Sequence, residues 1–286
     1  MTTRTRFRRP VADEPDALAG YHYDFSNDFY RLWLDPTMTY SCAYFRSGDE
    51  TLEEAQIAKL DLAFRKVGLE RGHRLLDIGC GWGAAAERAA VAYGARAVGL
   101  TLSANQLEYA QTRTRPDREL EYRLESWESY ATPCDRIVSF GAFEHFTSGK
   151  YPAFFERCRE LLPNDGRLLV QTITIGKPSR SIALRRFGYF LLTELVHGWA
   201  ELPTPEAVVS QARLGGFELL HAESLRPHYA KTIGMWLASL IDQRQAALAA
   251  TNEKTFDNFV RYLEGSARYF ESGETNIYQF LFSVAG

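Results

Sequence analysis

With 286 residues, of which 45% are hydrophobic, 13% aromatic and 24% charged, the chain has apolar material for one large globular domain, and a mostly disordered protein is excluded. A formal net charge of −3 removes the general electrostatic case for a nucleic-acid partner, whose phosphates select clustered Lys and Arg. The 4 cysteines, at 42, 80, 134 and 158, show neither C-x-x-C spacing nor a Cys/His pattern, so no metal site is expected.

The chain opens on a basic tail, residues 1–20, in which Arg4, Arg6, Arg8 and Arg9 cluster. Such a cluster reads as solvated in preference to a dock for an anionic carrier or lipid surface. It lacks the apolar segment of a signal peptide, and no later run reaches the ~18 apolar residues that span a bilayer. A cytoplasmic protein with reduced thiols and no integral membrane association is expected. Residues 21–286 read as one domain. Within it, "MTYSCAYF" (38–45) sets Cys42 among aromatic residues with no basic cluster nearby in sequence to lower the thiol pKa, which argues against a cysteine nucleophile.

From residue 74 strand-like and helix-like periods alternate. "RLLDIG" (74–79) is an apolar strand and "AAAERAAVAYG" (84–94) an Ala-rich helix closed by glycine. "RAVGLTL" (96–102) is the next strand, followed by Ser103 as N-cap of the helix "ANQLEYAQTR". "RIVSFGA" (136–142) and "GRLLVQTIT" (166–174) are buried strands on either side of a helix at "YPAFFERCRELL". This alternation predicts an α/β fold with a doubly wound parallel sheet. The pattern then breaks: 176–201 is basic and aromatic, and reads as an inserted cap. "FELLHAESL" (217–225) and "NIYQFLFSV" (276–284) read as two strands pairing antiparallel, with a helical segment over 230–271 that ends at Gly273. Insertions around 175–203 and 230–272 are expected to cover the carboxyl ends of the strands, where ligands of open α/β sheets bind.

"DIGCGWG" (77–83) closes the first strand with glycines at alternate positions, which lets backbone N–H groups approach a ligand closely. It matches neither the G-x-x-x-x-G-K-[ST] phosphate loop nor G-x-G-x-x-G, so a nucleoside without a pyrophosphate fits better.

That loop, with "HYDFSNDFYRLWLDPTMTYSCAYF" (22–45), "VGLTLSANQ" (98–106), "WE" (127–128), "AFEHF" (142–146) and "LRPHYAKT" (225–232), resembles the cyclopropane (mycolic and fatty) acid synthase family of S-adenosylmethionine-dependent methyltransferases. The matches run collinearly from residue 21. The resemblance implies the seven-stranded, Rossmann-like sheet of class I SAM-dependent methyltransferases with helical lid insertions, S-adenosylmethionine as cofactor, and a bicarbonate ion near the reacting carbon. It implies cofactor contacts at Tyr40 and Ser41, at Gly79, Cys80 and Gly81 along the amino-acid portion, at Thr101, Leu102 and Gln106 near the ribose, and at Trp127 and Glu128 near the adenine. Bicarbonate ligands fall on Cys42, Glu144, Ile173 and Tyr229, with Cys42 and Ile173 using backbone groups. Of the aromatic residues, Tyr23, Tyr30, Phe143, Phe146 and Tyr269 are expected around the acceptor. A plain reading stands beside two of these: Trp127 as a core aromatic, and Glu144 as a charge favourable at a helix N-terminus. His145 is expected to point elsewhere.

The implied reaction is methyl transfer from S-adenosylmethionine to an alkene of a lipid-like acceptor, an unsaturated fatty or mycolic acyl chain or an isoprenoid, presented free or on a carrier. A π bond attacking the methyl leaves a carbocation, which aromatic faces stabilise by about 2 kcal/mol or more when desolvated. The ending is open to cyclopropane, methyl-branched or hydroxylated product. Two departures bear on it. Gln171 stands where ring-forming members carry histidine, and an amide does not titrate near neutral pH. "LVHGWAELPTPE" (195–206) replaces a glycine-rich family segment, which makes a compact acceptor credible beside a long mycolic chain. N- or O-methylation of a small amphipathic molecule is the alternative within enzymes; a non-catalytic SAM-binding protein is the alternative outside them.

Overall fold

A computed structural model describes residues 26–114, 116–177 and 202–286. Seven strands, β1 (Arg74–Ile78), β2 (Arg96–Thr101), β3 (Leu120–Leu124), β4 (Arg136–Phe140), β5 (Arg167–Ile175), β6 (Phe217–Ser224) and β7 (Thr275–Val284), form one sheet in the order β3-β2-β1-β4-β5-β7-β6. The first five run parallel; β7 is antiparallel to both β5 and β6. The described helices are α1 (Asn27–Arg31), α2 (Leu52–Val67), α3 (Ala84–Ala92), α4 (Ala104–Gln111), α5 (Tyr151–Leu161), α6 (Pro205–Leu214), α7 (Arg226–Asp242), α8 (Arg244–Ala250) and α9 (Glu253–Ser272).

The period-2 alternation of a strand sends neighbours to opposite faces, and β1 shows it. Leu76 and Ile78 pack against α5 and α6, while Leu75 joins Ala63 and Phe64 of α2 and Ala86 and Ala89 of α3. Both faces of the sheet are therefore covered, as a parallel sheet requires. A third cluster, rich in aromatic side chains, joins α1, α7 and α9 to Trp82 and Cys42.

The strands expected at 74–79, 96–102, 136–142, 166–174, 217–225 and 276–284 form within one to two residues, and Ser103 caps α4 by accepting from the Gln106 N–H at 3.3 Å. β3 has no counterpart in the sequence reading, although "LEYRL" alternates apolar and charged residues; it is a five-residue edge strand with only Tyr122 fully buried. The helical segment over 230–271 is interrupted rather than continuous. Thr251 leaves helical geometry at φ −135°, ψ −115°, and Asn252 starts α9 afresh by accepting from the Thr255 N–H at 2.9 Å. Gly273 ends α9 at φ +81°. The expected tail, Tyr23 and almost all of the cap over 175–203 lie outside the described residues.

Candidate active site

Strand order reverses between β1 and β4, and loops leaving the carboxyl ends of β1 to β4 border an open cleft. Lining residues come from the carboxyl end of each strand and the loop after it: Ile78 to Trp82 at β1, Leu100 to Ser103 with Gln106 at β2, Glu125 to Trp127 after β3, and Phe140 to Ala142 at β4. Met38 to Ser41 form the remaining wall, with Lys59 and Leu60 behind them on α2.

That wall is built by hydrogen bonds its own sequence provides. Asp35 accepts from the N–H groups of Thr37 (2.9 Å) and Thr39 (3.1 Å) and from the Thr37 hydroxyl, an Asx turn that holds Met38 at φ +58°. Gln56 of α2 donates to the carbonyls of Thr39 (3.1 Å) and Ser41 (2.8 Å). Beyond Cys42, Ala43 N–H donates to Thr232 Oγ1 at 3.1 Å and Phe45 N–H to His228 Nδ1 at 3.1 Å, so α7 grips the far side. "MTYSCAYF" is thus a strap clamped between α2 and α7.

The glycine loop has the shape a close ligand needs. Gly79 has φ +78°, and a Cβ there would stand 2.5 Å from that of Ala142. Gly81 has φ +55°, and its Cβ position faces open space with no protein atom within 4 Å, a cradle that a side chain would fill. Across the cleft the Thr101 hydroxyl donates to Gln106 Oε1 at 2.8 Å, which fixes a buried amide beside Leu102. Trp127 is buried against Phe146 and Phe154, at centroid distances of 5.4 Å each, while lining the cleft. Backbone amides at one end, a fixed amide in the middle and an indole at the other suit the amino-acid, ribose and purine parts of S-adenosylmethionine. Tyr40, Ser41, Gly79, Cys80, Gly81, Thr101, Leu102, Gln106, Trp127 and Phe146 all meet at this cleft.

Behind the cleft lies a second group. Glu144 sits in a short 3-10 turn, Phe143–His145, with 8% exposure, and its Oε2 accepts from the Thr172 hydroxyl at 3.1 Å. Burial pushes its carboxyl up to about 7, against the lowering effect of its own N–H, the Thr172 hydroxyl and the Ile173 N–H. Ile173 therefore leans on Glu144 through its backbone. Gln171, two residues back on the same strand face, accepts from Gln279 Nε2 at 3.0 Å, and Gln279 Oε1 accepts from Lys66 Nζ at 2.8 Å. An ammonium has only donors, so it turns the Gln279 oxygen toward itself. The Gln279 amide nitrogen then faces Gln171, and the Gln171 Nε2 is left as a buried donor with no hydrogen-bond partner among the described residues.

Cys42 has no exposed surface, and its thiol donates to the carbonyls of Ala43 (3.2 Å) and Leu225 (3.8 Å). Burial raises its pKa far above the ordinary thiol range, so it remains a thiol at neutral pH. Tyr229 packs edge-on to Trp236 (6.0 Å) and against Phe270 (4.6 Å). Tyr40 packs at a tilt against Trp236, with 5.1 Å between centroids, and approaches Tyr262 with 3.4 Å between phenol oxygens. Burial raises both of these phenols.

Four expected residues lie away from the cleft. Glu128 turns outward to Lys150 (3.4 Å), and Glu125 and Ser126 take its place on the wall. Phe143 is fully buried, stacked on Tyr151 at 4.5 Å, because the 3-10 turn points it into the sheet core while Glu144 turns the other way. Tyr30 is fully buried against Trp82 (4.9 Å) and supports the wall from behind. Tyr269 is half-buried on α9 and does not line the cleft. Conversely, His145, set aside from the sequence, is exposed at the cleft wall. Lys59, Asp77 and Tyr262 were not singled out. Lys59 falls on the apolar stripe of α2 between Ala55 and Ala63, and Asp77 interrupts a buried strand; a charge in an apolar pattern was the available signal.

A family model for mycolic acid cyclopropane synthetases matches residues 14–280. Cyclopropane mycolic acid synthase 1 and cyclopropane mycolic acid synthase MmaA2 of Mycobacterium tuberculosis are each 45% identical to the chain, over 270 and 271 residues, covering 91% of it and 94% of each relative. The structure of the cyclopropane synthase MmaA2 from Mycobacterium tuberculosis superposes with TM-score 0.90 at 43% identity, covering 94% of this chain and 98% of that one. Mycolic acid cyclopropane synthase CmaA1 complexed with SAH and CTAB superposes with TM-score 0.89 at 44% identity and the same coverage. By sequence match, strand order and glycine-loop cleft alike, the chain belongs to the mycolic acid cyclopropane synthetase family of S-adenosylmethionine-dependent methyltransferases.

Proposed function

We propose that this methyltransferase transfers a methyl group to the carbon of an alkene in an acyl or prenyl acceptor, through a carbocation held among Tyr40, Tyr229, Trp236 and Tyr262. The observation that carries the reading is Tyr40 itself: it lines the cofactor cleft on one side and packs into the buried aromatic cluster on the other. An acceptor entering that cluster meets ring faces and few hydrogen-bond partners, which suits a hydrocarbon and a cation better than a polar nucleophile. Bound at the cleft, S-adenosylmethionine supplies the electrophilic methyl.

Tyr40, Ser41 and the glycine loop orient the cofactor, and the aromatic wall excludes water. Glu144, Tyr229, the Cys42 N–H and the Gln171 amide nitrogen are the groups that would hold a bicarbonate ion as proton acceptor. The Cys42 N–H fits that part, since it has no acceptor among the described residues. Fixed as a donor by Lys66 and Gln279, Gln171 orients an anion and takes no proton itself. Incubation with methyl-labelled S-adenosylmethionine and a panel of monounsaturated acyl and prenyl acceptors tests the reading. Label in a carbon-methylated product supports it, and label on nitrogen or oxygen alone overturns it.

Two expectations attach to single residues. Cys42→Ala should keep at least about a third of wild-type turnover, because the backbone is what serves; Cys42→Phe should lose it by overfilling a fully buried site. Complete loss in Cys42→Ala with cofactor binding intact would return the thiol to the reaction. Gln171→His should raise the cyclopropane share of the products and add a pH-dependent limb near the imidazole pKa of ~6.5. An unchanged product ratio and pH profile, measured by mass spectrometry and initial rates, would show that position 171 does not direct the cation.

A further inference from the structure

Lys59 belongs to the interior of α2, yet its side chain faces the cofactor cleft. It is 1% exposed, lines the cleft beside Ser41 and Asp77, and its Nζ lies 4.5 Å from the Phe140 ring centroid. Among the described residues its one hydrogen bond is to Ser41 Oγ, at 2.9 Å. Among the described residues no carboxylate comes within 4.0 Å of it, although a buried ammonium is costly to leave without an opposite charge. Lys59 is also the only Lys or Arg among the described residues lining the cleft. Burial draws the Lys59 pKa down to about 8, while the carboxylates of Asp35 and Asp77 favour the ammonium from a distance; Asp77 is itself buried, and burial pushes its carboxyl up to about 7.

The amino-acid end of S-adenosylmethionine carries a carboxylate, and the glycine loop and Ser41 place that end at this corner. Hydrogen-bond polarity then constrains Ser41. An ammonium only donates, so the serine oxygen is the acceptor toward Lys59 and its own hydrogen must go elsewhere. With Ser41 on the cleft wall, that hydrogen is available to a ligand oxygen.

We propose that Lys59 reads the α-carboxylate of the cofactor, holding Ser41 as a donor toward it and supplying the opposite charge from a buried position on the cleft wall. This rests on the cleft being the S-adenosylmethionine site and adds a residue that the motifs did not point to. Charge-assisted contacts of this kind weaken binding strongly when one partner is removed, since the other charge is then buried alone.

Calorimetry with two ligands separates this role from simple support of the fold. S-adenosylhomocysteine carries the carboxylate; 5′-deoxy-5′-(3-aminopropylthio)adenosine lacks it and keeps the nucleoside, sulfur and amine. Lys59→Met should weaken S-adenosylhomocysteine by about 30-fold or more and the decarboxylated ligand by less than about 3-fold. Ser41→Ala should show the same selectivity with a smaller loss, and it decides the question if Lys59→Met does not fold. Equal losses for both ligands, or no loss for either, would overturn the proposal and leave Lys59 a structural cation. If the wild-type protein binds the decarboxylated ligand as tightly as S-adenosylhomocysteine, carboxylate reading fails while the cofactor site stands. Failure of the wild type to bind either ligand removes the site itself.

Discussion

Glu144→Gln should lower kcat by about 100-fold or more and leave the Kd for S-adenosylhomocysteine within about twofold. The split follows from place: Glu144 stands behind the cleft, bonded to the Thr172 hydroxyl, and does not line the cofactor wall. The same substitution should stabilise the protein, and the gain should depend on pH in one direction. A carboxyl at 4.5 when unfolded and about 7 when folded retains its proton in the folded chain while the unfolded chain has lost it. Stability contributed by this group is therefore intact at low pH, falls as pH rises through that window, and is flat above it. Glutamine does not titrate, so the melting-temperature difference between variant and wild type should be larger at pH 8 than at pH 5. The free-energy gain is on the order of 3 kcal/mol at most, from the size of the shift. A variant as active as wild type would remove Glu144 from the reaction, and a stability difference independent of pH would remove burial as the cause of its raised pKa.

Gly81→Val should abolish measurable S-adenosylhomocysteine binding, a loss of about 100-fold or more, while the protein remains folded. Its Cβ would meet no protein atom within 4 Å, so the fold has room for it. The space it would fill is the cradle, and a β-branched residue at φ +55° adds backbone strain of about 1–3 kcal/mol. Gly79→Ala makes the contrast: its Cβ, 2.5 Å from that of Ala142, collides with protein and should lower the melting temperature first. Normal ligand affinity in Gly81→Val, read by calorimetry on folded protein, would place the cofactor somewhere other than this loop.

Much of this arrangement is written locally. "RLLDIGCGWG" carries its own strand, turn and helix start, because apolar periodicity and glycine at positive φ need no distant partner to be recognised. The antiparallel pairing of β6 with β7 was legible because each carries an apolar run, "FELL" and "IYQFLF", on either side of a helical segment, although in β6 only Phe217 is buried. β3 was passed over although "LEYRL" alternates apolar and charged residues, a half-buried-strand signal confined to five positions. The interruption at Thr251 was not legible, since departure from helix there depends on how α7, α8 and α9 fold back on one another.

The site divides along the same line. Tyr40, Ser41, Gly81 and Trp127 sit in loops whose short motifs travel with the family, and they converge on the cleft. Lys59, Asp77 and Tyr262 sit in regular elements, where the sequence pattern says core and only tertiary packing reveals what each faces. Gln171 is intermediate. Its identity was conspicuous, but its orientation depends on Gln279 from β7 and Lys66 from α2, contacts 108 residues apart and, one step further, 213 apart in the chain.

Transfer of a trideuterated methyl group tests the central claim most directly. With methyl-deuterated S-adenosylmethionine and an unsaturated acyl or prenyl acceptor, mass spectrometry should find deuterium on the carbon skeleton at the former double bond. Three deuteriums mark a branched or hydrated ending; two mark ring closure, in which the new methyl gives up one deuteron. Deuterium confined to an oxygen- or nitrogen-bound methyl, with no label on the chain carbon, would contradict alkene methylation through a cation.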